Sequence, residues 1–394
     1  MQVKIRINTG FIYIGVILFS FSSYLAIYSN FTKIACDIAY IIYILCVVTF
    51  ALHKKRYSTI NARLSLFILF VMLIYLAIGI RNNNIEAVSD DIRGFYFPVC
   101  LALLLYMSKV KLTDKELKNA ISTFIICSAI NSIAGIIQVI TFNGDFSRLY
   151  IGQYALEAEY NYFRAGHLRA FGFMASPVTL SCYLSMAIIV LITCGKNYYN
   201  KKICIIIELL FLITIYLTNC MVPLGSIIAT FIVYKLLKNN KIVMLVTPIF
   251  ALLVMIVLIS NARQLFNLSA IGRLQQYDTG FRIFRSNILG LGAGFSSYPY
   301  GTYTFDPSIL TFIDNYGIVG LIIVTIIYIN FNLSNKVSNA SKSLIFNLIL
   351  ISLFSNIFLI GNLTIFVTLA YSMKDIVGST ENRAKLDLYK KQVI

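Results

Sequence analysis

Apolar runs of bilayer-crossing length recur from one end of this chain to the other. They fall at Phe11 to Ile27, Ile34 to Leu52, Leu64 to Ile80, Phe95 to Met107, Ala120 to Phe142 and Phe171 to Cys194. Six more follow at Ile203 to Thr218, Val222 to Leu237, Ile242 to Ser260, Ile309 to Ile329, Leu344 to Ile360 and Leu363 to Met373. A helix of about 20 apolar residues spans the ~30 Å hydrocarbon core, so the pattern predicts an all-α polytopic membrane protein of about 12 helices; the short fourth, eighth and last runs widen the count to roughly 11 to 13. Composition excludes the soluble alternative. Only 12% of the residues are charged and 59% are hydrophobic, whereas soluble domains carry about 25% charged residues to cover their surface. Residues 1–394 read as one integral membrane domain. Lys4 and Arg6 precede the first run, which has no small-residue cleavage site and reads as a retained helix.

The connecting charges give an independent reading of topology. With the N-terminus cytoplasmic, Lys54, Lys55, Arg56 and Arg63, then Lys109 to Lys118, Lys196 to Lys202, Lys235 to Lys241, Lys336 and Lys342, and the tail 374–394 all fall on one side. That obeys the positive-inside rule and predicts both termini in the cytoplasm. The rule also accounts for most of the net charge of +17 without nucleic acid as a partner. On the outer side, of 20 Lys only Lys33 remains, against nine of 13 Arg. Topology alone does not produce that split. Guanidinium grips phosphate or carboxylate with two parallel hydrogen bonds and keeps its charge on burial, so the outer face is built for an anion. Two outer loops are long, 143–170 and 261–308, and hold seven of the nine outward arginines; loops of that length in a compact domain are usually functional.

The first loop ends in RAGHLRAFGFMASPVTLSCYL, Arg164 to Leu184. Gly166 and Gly172 permit close backbone approach and Pro177 frees a carbonyl in the first turns of the sixth helix. Arg164, His167 and Arg169 stand at its outer mouth, either to bind an anion or to snorkel at the interface. The second loop holds RLQQYDTGFRIFRSNILGLGAGFSSYPYG, Arg273 to Gly301. Phe281, Phe284 and Ile288 share one helical face and Arg282 and Arg285 a neighbouring one, which suits a helix lying in the interface with guanidinium groups toward lipid headgroups. Gly290, Gly292 and Gly294 either expose backbone N–H groups to phosphate or form a flexible turn. Asp306 and Asp314 flank the start of the tenth helix, each as a base for a sugar hydroxyl or, at Asp306, as a helix cap; Asp90 and Asp91 pose the same choice. Two His, eight scattered Cys without a CxxC pair, and the lack of a DxD or P-loop sequence predict no metal and no cofactor.

These segments carry a family resemblance. RAFGFMASPVTLSCYL resembles the Arg, Gly and Pro signature of the O-antigen polymerase and ligase families, and ILGLGAGFSS with FIDNYGIVGL resembles their Gly-rich loop and closing Gly-x-x-Gly helix. The resemblance implies transfer of a glycan from an undecaprenyl-diphosphate-linked oligosaccharide to a sugar hydroxyl of the next unit, in the bacterial inner membrane, with the site facing outward and a chain-length regulator as a further partner beside membrane lipids. It maps diphosphate-holding arginines onto Arg169 and Arg273, with Arg282 or Arg285 as further candidates. Arg164, Gly292 and Gly294 join them as substrate-binding residues, and Asp306 and His167 as catalytic ones. Ligase-type members carry His where this chain has Asp306, which favours the polymerase; an Arg common in the helix holding Asn219, Cys220 and Met221 is missing here. A flippase for the same lipid-linked oligosaccharide is the alternative outside the enzyme class, and would place its charges along a central cavity rather than in two outer loops.

Overall fold

The structure, a computed structural model, describes residues 59–97, 99–100, 114–141, 163–164, 167–174, 176–195, 198–237, 268–296, 301–303, 305–333 and 338–353, with ten single positions between 13 and 103. In chain order the elements are α1 (Thr59–Asn82), α2 (Ile85–Asp91), a π-helical turn (Ile92–Tyr96), α3 (Asp114–Thr141), β1 (Phe163–Arg164) and β2 (His167–Leu168). They continue with α4 (Pro177–Cys194), α5 (Lys201–Leu217), α6 (Met221–Leu237), α7 (Leu268–Ser286), α8 (Ser308–Leu333) and α9 (Asn339–Ser352). Apart from the two-residue antiparallel pair β1–β2, the described secondary structure is helical. Four helices, over Arg63–Asn82, Lys115–Thr141, Pro177–Cys194 and Ser308–Ile326, are long and apolar enough to cross a membrane. The predicted runs at 11–27, 34–52, 242–260 and 363–373 lie outside the described residues, apart from a few single positions.

The chain divides into two units. Residues 1–58, 101–228 and 364–372 form one; 59–100, 229–363 and 373–394 form the other. In the first, α3, α4 and α5 pack on one another. Nearly every side chain of α4 is buried, and its polar members are small: Ser181 and Ser185 donate to the carbonyls of Val178 and Cys182, 2.8 Å each. Small side chains that satisfy themselves let helices approach closely where no water competes. The helix starts at Pro177, six residues later than the apolar run, with Ser176 as its N-cap accepting from the Thr179 N–H at 3.1 Å. Proline at the first helical position withholds a donor that no helix end could use, and its fixed φ suits the turn.

In the second unit α8 is central, packing against α1, α7 and α9. Helix α1 buries Ile68, Met72 and Tyr75 on one side and leaves Leu66, Phe67, Phe70, Leu73 and Ile80 exposed on the other. Exposed apolar side chains at that density belong in lipid. Val233, Phe346, Leu350 and Leu353 build a separate core under α9, where Thr230 bonds Asn347 at 3.2 Å.

Candidate functional site

The signature segment Arg169 to Met174 in the first unit is non-helical and largely buried, turning where the Met174 N–H donates to Phe171 O at 3.0 Å, so its other polar groups need partners as well. Two side chains of α3 supply several. Gln138 Nε2 donates to the Gly172 carbonyl at 2.8 Å. Its Oε1 accepts from the N–H of Gly172 at 2.8 Å and of Phe171 at 3.3 Å. Asn131 Oδ1 accepts from the Phe173 N–H at 3.0 Å. Gly172 has φ +57, and a Cβ there would press on the Asn131 carbonyl. Arg169 reaches across to the end of α5, where its Nε donates to the Thr218 carbonyl at 2.8 Å and its Nη2 to Cys220 Sγ at 2.9 Å. A cation on the free carbonyls of a helix C-terminus is favourable through hydrogen bonding and the helix dipole. Arg169 thus closes the Thr218 to Cys220 turn, where Asn219 has φ 54. Arg164 and His167 face each other as partners in the β1–β2 pair.

In the second unit the glycine loop is seated in a broken helix. α8 runs from Ser308 and breaks at Gly317, whose φ of 58 and ψ of −155 are not helical. In an unbroken helix the Ile318 N–H would bond the Asp314 carbonyl. Here Ile318 N–H donates to Ile288 O at 2.8 Å, while the carbonyls of Asp314 and Asn315 accept from Leu291 and Gly292 at 2.9 and 3.0 Å. The loop supplies partners for three backbone groups beside the break. It is anchored to α1 as well: the Ala293 N–H donates to Tyr75 O at 3.0 Å, Tyr75 Oη to Leu289 O at 2.6 Å, and Asn83 Nδ2 to Leu291 O and Ala293 O at 3.2 and 2.9 Å. A Cβ on Gly292 would lie 2.7 Å from the Gly79 nitrogen. Glycine is required by contact, not only by backbone freedom.

The backbone N–H groups of all three loop glycines have partners within the chain. The N–H of Gly290 bonds Asn287 O at 2.8 Å and that of Gly292 bonds Asn315 O. The Gly294 N–H bonds Asp91 Oδ2 at 3.1 Å. The same Asp91 oxygen accepts from Asn315 Nδ2 at 3.0 Å and Tyr316 Oη at 2.8 Å. Asp314 is buried beside this cluster, with Oδ2 at 3.5 Å from Ser296 Oγ and Oδ1 without a hydrogen bond.

Helix α7 presents two faces. Arg273, Tyr277 and Gly280 lie on the packed side: Gly280 meets Leu310, and Tyr277 Oη donates to Leu353 O. Burial raises the Tyr277 phenol above its usual range, with the Arg273 charge pulling it partly back. Arg282 and Arg285 lie on the exposed side, Arg282 paired with Asp278 at 3.2 Å. Ile288 does not extend that helix, which ends at Ser286; it sits in the following turn and gives its carbonyl to Ile318. Arg273 Nε is buried without a hydrogen bond and stands 3.9 Å from Asp306 Oδ2. Asp306 is 65% exposed, and its own N–H donates to Gln276 Oε1 at 2.9 Å. α8 starts two residues later, at Ser308.

The second unit therefore brings Arg273 and Asp306 together and sets Arg282 and Arg285 on the other face of α7. Sequence reasoning missed the residues that hold the loops: Gln138, Asn131, Asn83, Tyr75 and Asn315. For Gln138, Asn131 and Asn315 the signal was present, since an amide inside an apolar run is costly unless it has a buried partner. Among the described residues no group of three or more His, Cys, Asp or Glu is placed to hold a metal ion. No protein-family model matches this chain, and no curated protein matches it.

Proposed function

We propose that this chain is a bacterial inner-membrane polymerase of lipid-linked oligosaccharide repeat units, with about twelve spans, cytoplasmic termini and a site on the outer face. The acceptor sugar hydroxyl attacks the anomeric carbon of the donor, the bond to the diphosphate oxygen breaks, and the hydroxyl proton passes to a base or water. The leaving diphosphate needs positive charge, and arginine supplies it without a metal ion.

The observation that carries this reading is the Arg273–Asp306 pair. At 3.9 Å it is an ion pair without a hydrogen bond, with the Arg273 side chain 27% exposed and its Nε unbonded. A diphosphate, with more charge and more acceptor oxygens than a carboxylate, would displace Asp306 from the guanidinium. The displaced carboxylate would then be available to take the hydroxyl proton. Arg273 and Asp306 flank the glycine loop in sequence, and that loop is fixed in the break of α8.

Purified full-length protein given lipid-linked repeat units in detergent is expected to lengthen glycans, and Arg273→Ala to abolish lengthening while the protein remains folded. A flippase would produce no longer chains in detergent, where transport has no meaning. Wild-type length distributions from Arg273→Ala would refute the assignment. Arg169→Ala is expected to abolish lengthening too, but it also uncaps α5, so Arg273 is the decisive position.

A further inference from the structure

Asp91 is a carboxylate only 5% exposed, placed at the end of α2 where the chain enters a π-helical turn over Ile92–Tyr96. Burying a carboxylate is costly unless its oxygens are well satisfied. Its Oδ2 accepts from the Gly294 N–H, Asn315 Nδ2 and Tyr316 Oη. Those donors come from two different segments, the glycine loop and the last turn before the break at Gly317. The π turn follows Asp91 directly. Its i→i+5 spacing carries Phe95 and Tyr96 round to the side of Asp91, where the Phe95 and Tyr316 rings are 4.8 Å apart and Tyr96 Oη donates to Met72 O at 3.1 Å. Gly294, with φ +82, leaves no room for a side chain against the Val88 nitrogen at 2.6 Å. Asp91 lies 203 or more residues before the two segments that meet it at one oxygen atom.

The loop held at this point joins α7, which carries Arg273, to the stretch 301–308, which carries Asp306. We infer that Asp91 is a positioning residue: by clamping the glycine loop onto the broken end of α8 it fixes both flanks of that loop, and so the spacing of Arg273 and Asp306. Asp91 touches neither of them, and it acts through the loop. The kinetic part of this inference rests on the polymerase reading; the clamp itself does not.

The test is hydrogen–deuterium exchange on the purified full-length protein in detergent, with glycan lengthening measured on the same samples. Asp91→Asn is expected to speed amide exchange in 287–296 and 314–318 roughly tenfold, about one hydrogen bond to a charged acceptor, and to leave peptides of α3, α4 and α5 unchanged. Tyr316→Phe removes a single donor and is expected to give a smaller increase in the same peptides, so the test survives if Asp91→Asn misfolds. Lengthening by Asp91→Asn is expected to show kcat at least tenfold lower with KM for the lipid-linked unit within about twofold. Unchanged exchange in both single variants overturns the clamp. Faster exchange throughout the protein, or a faster loop with unchanged kcat, overturns the positioning role. Absence of lengthening by the wild type counts against the polymerase reading, while the exchange data still decide the clamp.

Discussion

Individual side chains here do their work by satisfying backbone. Gln138 serves two consecutive residues of the 169–174 segment with both ends of one amide, and no helix bonds are available there to replace it. Replacing Gln138 by Leu leaves the Gly172 carbonyl and two N–H groups to find new partners in an apolar setting, and is expected to destabilise by about 3 kcal/mol. Arg282 is the contrast. Its ion pair with Asp278 has both side chains about 70% exposed, and Arg282→Ala is expected to change stability by less than about 0.5 kcal/mol, because exposed pairs are screened. Thermal unfolding of both variants in the same detergent checks the pair of predictions. The gathering of arginines in two long connections was legible from sequence alone, but it treated as alike residues that the fold puts to different uses. Arg169 caps a helix, Arg273 faces inward beside a carboxylate, and Arg282 and Arg285 face out.

At the scale of elements, the break in α8 separates what periodicity can show from what it cannot. Hydropathy marks Ile309 to Ile329 as one span, and the helix does cover Ser308–Leu333, but the apolar pattern is the same whether the helix is continuous or interrupted. Gly317 is legible only as a glycine; that it is a breakpoint depends on residues 288–292 arriving to take over the freed groups. The two kinds of glycine give opposite predictions. Gly317→Ala and Gly292→Ala each put a Cβ into neighbouring backbone at a positive φ, and are expected to cost several kcal/mol and sharply reduce the folded yield. Gly272, in α7, has open space at its Cβ position, and Gly272→Ala is expected to stabilise by about 0.5–1 kcal/mol through helix propensity. Melting temperature and recovery by size exclusion distinguish them. The same reasoning explains α4: its apolar run begins at Phe171, but Gly172 and Pro177 with the amides of α3 keep the first residues out of the helix.

At the scale of the whole molecule, charge is distributed unevenly along the chain. In the twelve-run reading all lysines but Lys33 fall at the termini and in alternate connections and nine of 13 arginines in the others, from which the positive-inside rule predicts an orientation. Reporter fusions after Lys111, Lys202 and Lys342 and at the C-terminus are therefore expected to read as cytoplasmic, and fusions within 143–162 as external; one fusion on the wrong side would overturn the twelve-span scheme. Sequence by itself determined that this is a helical protein with membrane-spanning segments, because transfer of apolar side chains and avoidance of charge are additive along a chain and need no knowledge of neighbours. It also picked out the two segments with the special backbone, through their glycines, proline and arginines. Tertiary structure alone decided which donors meet which acceptors: that the glycine loop fills a broken helix, that Asp91 joins them, and that Arg273 rather than Arg282 stands beside Asp306. Hydrogen bonds are short-ranged and directional, so partners two hundred residues apart leave no periodic trace in the order of the amino acids.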